Sequence, residues 1–366
     1  MPLRSPFLSA ENAICWPRTA QQERSLMMKI ETMVGPDLRR AAEDAKRAEA
    51  LGYDGVLTPE TGHDPFFPLL VAGEHTSRLT IGTAVAICFP RSPMVTAQMA
   101  WDLQKFTDGR FLLGLGTQVK SHNVRRYGTP WNSAPGPRLR EYILMLRAIW
   151  DCWQNGTKPS FKGQHYEFTL MSPVFSPGPI EHPHIPIYIS AVNTYNARLA
   201  GELCDGLRLH GFNTPKYLHD VLLPAVEAGA KKAGRSLRDI DVAGLGFIIS
   251  GRNGTELTKN AAPVRRQIAF YASTPAYKPV LDVHGWGDVF QRLFDMSRRG
   301  EWAAMSELIT DDMLEQFCTI ATYDELVPKL LKHYGGATTR AVFGIPTSTQ
   351  KDEQMLSSMI RQLQSA

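Results

Sequence analysis

The sequence predicts a (β/α)8 TIM barrel with insertions, and three observations predict it. Short apolar runs alternate with amphipathic segments from Met28 almost to the last residue. Several of these runs end in small residues, most clearly Arg110-Phe-Leu-Leu-Gly-Leu-Gly-Thr-Gln118. The length of 366 residues suits one embellished barrel. Such alternation builds a parallel sheet covered by helices. The first strand–helix turn carries no GxGxxG, which argues against a dinucleotide-binding doubly wound sheet.

The elements follow in order. Lys29 to Val34 reads as the first strand. The next helix carries Leu38, Ala41, Ala45, Ala48 and Leu51 at helical spacing and is closed by Gly52. Tyr53 to Leu57 is strand two, and Pro65 opens the helix that follows its loop. Leu79 to Phe89 is strand three. Ser92-Pro93 starts a long helix that Gly109 stops, and Arg110 to Gln118 is strand four. From Arg138 to Trp153, Leu139, Tyr142, Ile143, Leu146, Ile149, Trp150 and Trp153 share one helical face, a candidate dimer seam.

The rhythm then breaks over 154–186, a proline-rich insertion with an alternating stretch from Phe161 to Phe168 that predicts a small hairpin. Ile187 to Val192 and Gly206 to Phe212 are strands five and six, and Val242 to Ser250 is strand seven. A second excursion spans 273–317. Arg340 to Ile345 is strand eight, and a final helix ends near Leu363. Residues 1–27 read as an extension without the apolar core of a secretion signal, so one domain covers 28–366.

Composition narrows the function. A net charge of +4 gives no case for nucleic acid, and no apolar run is long enough to span a bilayer. The five cysteines are scattered and odd in number, which points to a reducing cytoplasm.

Barrel chemistry gathers at the carboxyl ends of the strands. Here those ends offer Glu60, Thr61 and His63; Ala84 and Val85; Gly116, Thr117, Gln118 and His122; Ser190, Ala191 and Val192; and His210. Small residues and backbone dominate over metal ligands and nucleophile–base pairs. That suits a planar aromatic cofactor, with no metal. His182-Pro-His184 has ligand spacing but precedes its strand. Arg125 and Arg126, just past strand four, are candidates for a cofactor phosphate. Glu60, His122 and His210 are the candidate proton-handling groups. Phe161, Tyr166, Phe168, Tyr277 and Trp286 lie in the two insertions, which are candidate lids over an apolar substrate. A barrel metallohydrolase and a non-catalytic flavin-binding protein are rival readings.

Three stretches carry a family resemblance: Leu79 to Pro93, Ala97 to Leu103, and Asp108 to Thr117. In order they resemble the bacterial luciferase-like superfamily of flavin- and deazaflavin-dependent enzymes. His63-Asp-Pro-Phe66, Pro90-Arg-Ser-Pro93 and Asp205-Gly-Leu-Arg-Leu-His210 resemble its deazaflavin branch. The resemblance implies an oxidoreductase that moves a hydride between coenzyme F420, a deazaflavin, and a small organic molecule. The alternative it leaves is an FMN-dependent monooxygenase working through a peroxyflavin. It also implies a cis peptide at Ala84–Val85 behind the ring, and a homodimer is expected beside it. One departure stands out. Relatives carry an Asp-His pair after strand two where this chain has Glu60-Thr61.

Overall fold

The computed structural model describes residues 28–366, so the extension expected over 1–27 lies outside the described residues. Eight parallel strands close into a barrel: β1 Lys29–Met33, β2 Gly55–Thr58, β3 Thr80–Thr83, β4 Phe111–Gly116, β5 Ile187–Ala191, β6 Gly206–Leu209, β7 Asp241–Ala243 and β8 Arg340–Val342. Each pairs with the next in the chain, and β8 returns to β1.

The helices start and stop where capping chemistry allows. Asp37 accepts from the Arg39 N–H ahead of helix Leu38–Leu51, and Gly52 ends it at φ 95°. Its Ala41, Ala45 and Ala48 are buried against the barrel. Helix Pro135–Asn155 buries Leu139, Tyr142, Ile143, Leu146, Ile149, Trp150 and Trp153 within this same chain. That face is therefore consumed by the barrel and cannot serve as the dimer seam the sequence suggested.

Strand seven is shorter than the sequence implies. The chain leaves the barrel after Ala243 through Gly244, whose φ of 127° is one that side-chain-bearing residues rarely adopt. The apolar run resumes as Phe247–Gly251, which pairs in parallel with Cys318–Thr322 in a separate two-stranded sheet. Helices Gly254–Ala272, Lys278–Asp282, Gly287–Arg299 and Asp311–Phe317 lie between them. The second excursion thus runs from 247 to 322. Cys318–Thr322 was invisible in the sequence because helices abut it on both sides with no turn residue as a marker.

The first insertion forms the expected hairpin, with Phe161 opposite Phe168. Its aromatics pack on outer helices. Phe168 is buried, and the Tyr166 ring lies 5.5 Å from Tyr142 and accepts from Arg138 through its hydroxyl.

Charge fills part of the barrel interior. Glu31 of β1 is fully buried, with Oε1 accepting from Arg340 Nε at 2.8 Å and Oε2 from Arg208 Nη1 at 3.2 Å. Tyr188 of β5 lies beside them, its ring 5.6 Å from the Arg208 guanidinium carbon. Gly206 makes room for that ring, since a Cβ there would meet it at 2.7 Å.

Candidate active site

The strand exits are organised around an interruption of β3. Gly82 pairs with Leu112, but Ala86 pairs with Leu115, so four steps on one strand face three on the other. The extra residue makes a bulge, and the Ala84–Val85 bond within it is cis without proline. After the bulge, Ala86–Ile87 rejoins the edge of β4. Ala84 and Val85 are only half-buried and form a floor at the barrel mouth.

Gly114 and Gly116 exist to accept this bulge. A Cβ on Gly114 would lie 2.0 Å from the Thr83 carbonyl oxygen, and one on Gly116 would lie 2.6 Å from a Val85 methyl. Thr83 and Gly114 are also locked together. The Thr83 hydroxyl donates to the Gly114 carbonyl at 2.6 Å and accepts from its N–H at 2.9 Å. The glycines were read from sequence as a bare seat for a flat ring. The structure fills the space at Gly114 with the Thr83 carbonyl and the space at Gly116 with the Val85 side chain, so the half-buried surface there is the bulge itself.

An ion-pair network braces the floor from the side of β2. Glu60 Oε2 accepts from the Ile87 N–H at 2.7 Å and from Arg91 at 2.7 Å. Arg91 also donates to Asp64 at 2.8 Å. Two of the sequence motifs, His63-Asp-Pro-Phe66 and Pro90-Arg-Ser-Pro93, are therefore joined by one guanidinium. Asp64 was not singled out as a site residue. Its signal was present only as part of a motif, because the pairing partner lies 27 positions away. Removing the centre by Arg91→Met is expected to cost roughly 1.5–3 kcal/mol, the range for hydrogen bonds to charged groups. Urea unfolding of the variant would check this.

The family model for luciferase-like monooxygenases matches residues 16–340. The chain belongs to the bacterial luciferase-like family. An uncharacterized protein of Mycobacterium tuberculosis is 41% identical over 315 residues, covering 86% of this chain and 92% of that one. The 5,10-methylenetetrahydromethanopterin reductase of Methanolobus tindarius is 26% identical, covering 88% and 95%. Among solved structures, the coenzyme F420 dependent tetrahydromethanopterin reductase of Methanopyrus kandleri superposes with a TM-score of 0.72 at 23% identity, covering 91% of this chain and 97% of that one. At that identity the likeness speaks to the fold. This luciferase-like chain is an enzyme of an oxidoreductase and monooxygenase family.

The barrel brings most of the sequence-picked residues to one end. Thr61, His63 and Asp64 line a small cavity of about 30 Å3 with Val34 and Thr58. The Thr61 carbonyl accepts from Arg126, which ties the β4 exit to the β2 exit. Lys120, Arg125 and Arg126 are exposed on and just after the short helix Lys120–Arg125 and form a cationic rim, with His122 exposed among them. Thr117 and Gln118 link β4 to that helix. Gln118 sits at φ 56°, and Asn123 donates to the Thr117 carbonyl at 2.9 Å. Ser190, Ala191 and Val192 close the next exit, where the Val192 carbonyl accepts from the Tyr217 hydroxyl at 2.7 Å.

His210 directly follows β6 and is half-buried. Its Nδ1 accepts from the Phe212 N–H at 2.9 Å, and burial pushes its pKa down to about 4. Tyr271 and Tyr277 of the second excursion face it, with ring centroids at 4.6 and 4.9 Å. Of the lid aromatics named from sequence, Tyr277 reaches the mouth, whereas Trp286 stacks on His284 at 4.3 Å. His184 pairs with Asp205 at 2.9 Å, near the start of β5 and β6. Arg147 and the Ile187 N–H join the same carboxylate. Burial raises the Asp205 pKa, but Arg147 and His184 outweigh it and hold the group well below the usual carboxylate range.

Proposed function

We propose that this chain is an oxidoreductase that moves a hydride between a deazaflavin coenzyme of the F420 type and a small, apolar organic substrate. One observation carries the reading. Three surfaces gather at the carboxyl ends of the strands: a half-buried apolar floor past β3, Ala84 and Val85; a cationic rim past β4; and an uncharged aromatic wall past β6. A planar heterocycle with an anionic tail matches that set of surfaces. The Methanolobus reductase, and an F420-dependent glucose-6-phosphate dehydrogenase of Intrasporangium calvum that is 33% identical over 56% of this chain, support the choice of cofactor.

When bound, a deazaflavin supplies a two-electron hydride carrier. The chain supplies everything else. Ala84 and Val85 present the floor, Gly116 leaves the space that Val85 packs into, and Thr117, Gln118, Ser190, Ala191 and Val192 border it. Arg125 and Arg126 hold the phosphate through charge-assisted hydrogen bonds, with the exposed His122 beside them. Thr61 positions Arg126 through its carbonyl. Glu60 acts as a positioning residue, because its carboxylate is committed to Arg91 and the Ile87 N–H. The tyrosine and phenylalanine wall keeps water from the reacting carbon.

Titrating the purified full chain with F420 and with FMN tests this. Fluorescence should report F420 binding at least about tenfold tighter than FMN, a gap of ~1.4 kcal/mol. Arg125→Ala with Arg126→Ala should weaken F420 binding and flatten its salt dependence. Tight FMN binding with none of the deazaflavin would overturn the proposal in favour of the monooxygenase.

A further inference from the structure

We infer that Tyr277 is the catalytic residue that hydrogen-bonds the oxygen of a carbonyl or alcohol substrate, and that His210 sets the direction of that bond. The inference rests on the deazaflavin reading and deepens it.

The argument follows one proton at a time. The Phe212 N–H donates to Nδ1 of His210 at 2.9 Å, so Nδ1 is an acceptor and carries no hydrogen. The ring is neutral at pH 7, since burial holds its pKa at about 4. Its single N–H is therefore on Nε2. Nε2 lies 3.4 Å from the Tyr277 hydroxyl. The imidazole must donate there and the phenol oxygen must accept. The hydrogen of that phenol is then left for a third group. Burial, with Tyr271 beside it, pushes the Tyr277 pKa up to about 12, so the hydroxyl keeps its proton.

A neutral donor of this kind suits an oxygen that gains charge during reaction rather than one already anionic. The 3.4 Å contact is long, as catalytic hydrogen bonds often are before substrate binds. Tyr271, with Phe247 stacked behind it, is half-buried beside the pair and suits apolar substituents on the substrate, and Phe212 is buried beneath them.

The step balances. A bound reduced deazaflavin would supply the hydride to the carbonyl carbon, whose π pair would then pass to the oxygen. That oxygen takes the Tyr277 proton and becomes a hydroxyl. The phenolate is held by the His210 Nε2–H and regains a proton from solvent. His210 does not pass on its own proton, because doing so would leave an imidazolate. Alcohol oxidation is the reverse.

Two measurements test the inference. Histidine 15N spectra of the wild-type chain, with His210→Gln for assignment, should show a protonated Nε2 and a bare Nδ1 from pH 5 to 8. A proton on Nδ1, or a charged ring at pH 6, overturns it. The F420-loaded enzyme is then assayed with 2-ketones from acetone to 2-octanone. Tyr277→Phe should lower kcat about 100-fold, the lower range for a general acid, while F420 affinity stays within about twofold. If wild type binds F420 but reduces none of the ketones, or if Tyr277→Phe keeps a third of the rate, the inference fails. If wild type does not bind F420, the cofactor reading fails instead, and the histidine spectra still decide the direction of the bond.

Discussion

Glu31→Ala should destabilise the chain by about 3–5 kcal/mol, the cost of removing one partner from a buried ion pair. With an unfolding entropy of ~2.1 cal/mol/K per residue, that is a fall in Tm of roughly 4–7 °C. The reason is arithmetic of charge. Glu31 is fully buried and faces two guanidinium groups that are themselves buried, Arg208 and Arg340. Alanine leaves both cations in the barrel without their shared anion. Glu31→Gln keeps an acceptor oxygen but loses the charge, so it should fall between alanine and wild type.

The same triad predicts an acid response. Burial raises the Glu31 pKa, but Arg340 and Arg208 outweigh it and hold the carboxyl below its ordinary value in the folded state. A carboxyl depressed by folding contributes stability that is fully present above its unfolded pKa. That contribution is lost as pH falls through the folded value. Wild type should therefore lose more stability than Glu31→Ala between neutral pH and about pH 3. Thermal melts across that range check both claims. An alanine variant within 1 kcal/mol of wild type at pH 7 would show that the interior tolerates bare cations, against the expected cost.

How much of this was legible in the sequence differs from residue to residue. The order of barrel strands was readable because each is an apolar run between helices, and the order of elements implies the pairing. The β2 and β4 exits were readable for the same reason. Glu31 and Arg208 were not, because a charged residue inside a short run reads as one facing water. Only closure of the sheet shows that β1, β6 and β8 turn these groups toward one another. The tautomer of His210 was hidden too. It depends on a backbone N–H two residues later, and so on the turn after β6 rather than on residue types. The carboxylate of Glu60 was found, but its commitment to Arg91 was not, since the two lie 31 positions apart.

The glycines of β4 give the sharpest case and the second large effect. Both were picked out from sequence, and both are adjacent to β3, yet they should respond very differently to a single added methyl. On Gly114 the Cβ meets backbone, the Thr83 carbonyl oxygen at 2.0 Å and its carbon at 3.1 Å. Backbone cannot rotate away, so β3 and β4 must separate. That breaks the two hydrogen bonds between Thr83 and Gly114 and displaces the Ala84–Val85 floor. Gly114→Ala should cost about 3 kcal/mol or more, at the upper end for overpacking. F420 affinity should fall by about 100-fold, or ~2.7 kcal/mol. On Gly116 the Cβ meets the tip of a side chain, Val85 at 2.6 Å, and the Ser190 hydroxyl at 3.1 Å. Val85 can yield, so Gly116→Ala should cost about 1 kcal/mol. Trimming the obstacle in Val85→Ala with Gly116→Ala should recover much of the lost F420 affinity, a coupling expected only of residues in contact. No side-chain trimming should rescue Gly114→Ala, because its clash is with the main chain. If the two single variants bind F420 equally well, the floor is not the cofactor's seat. If the double variant fails to recover, Val85 is not what occupies the space above Gly116.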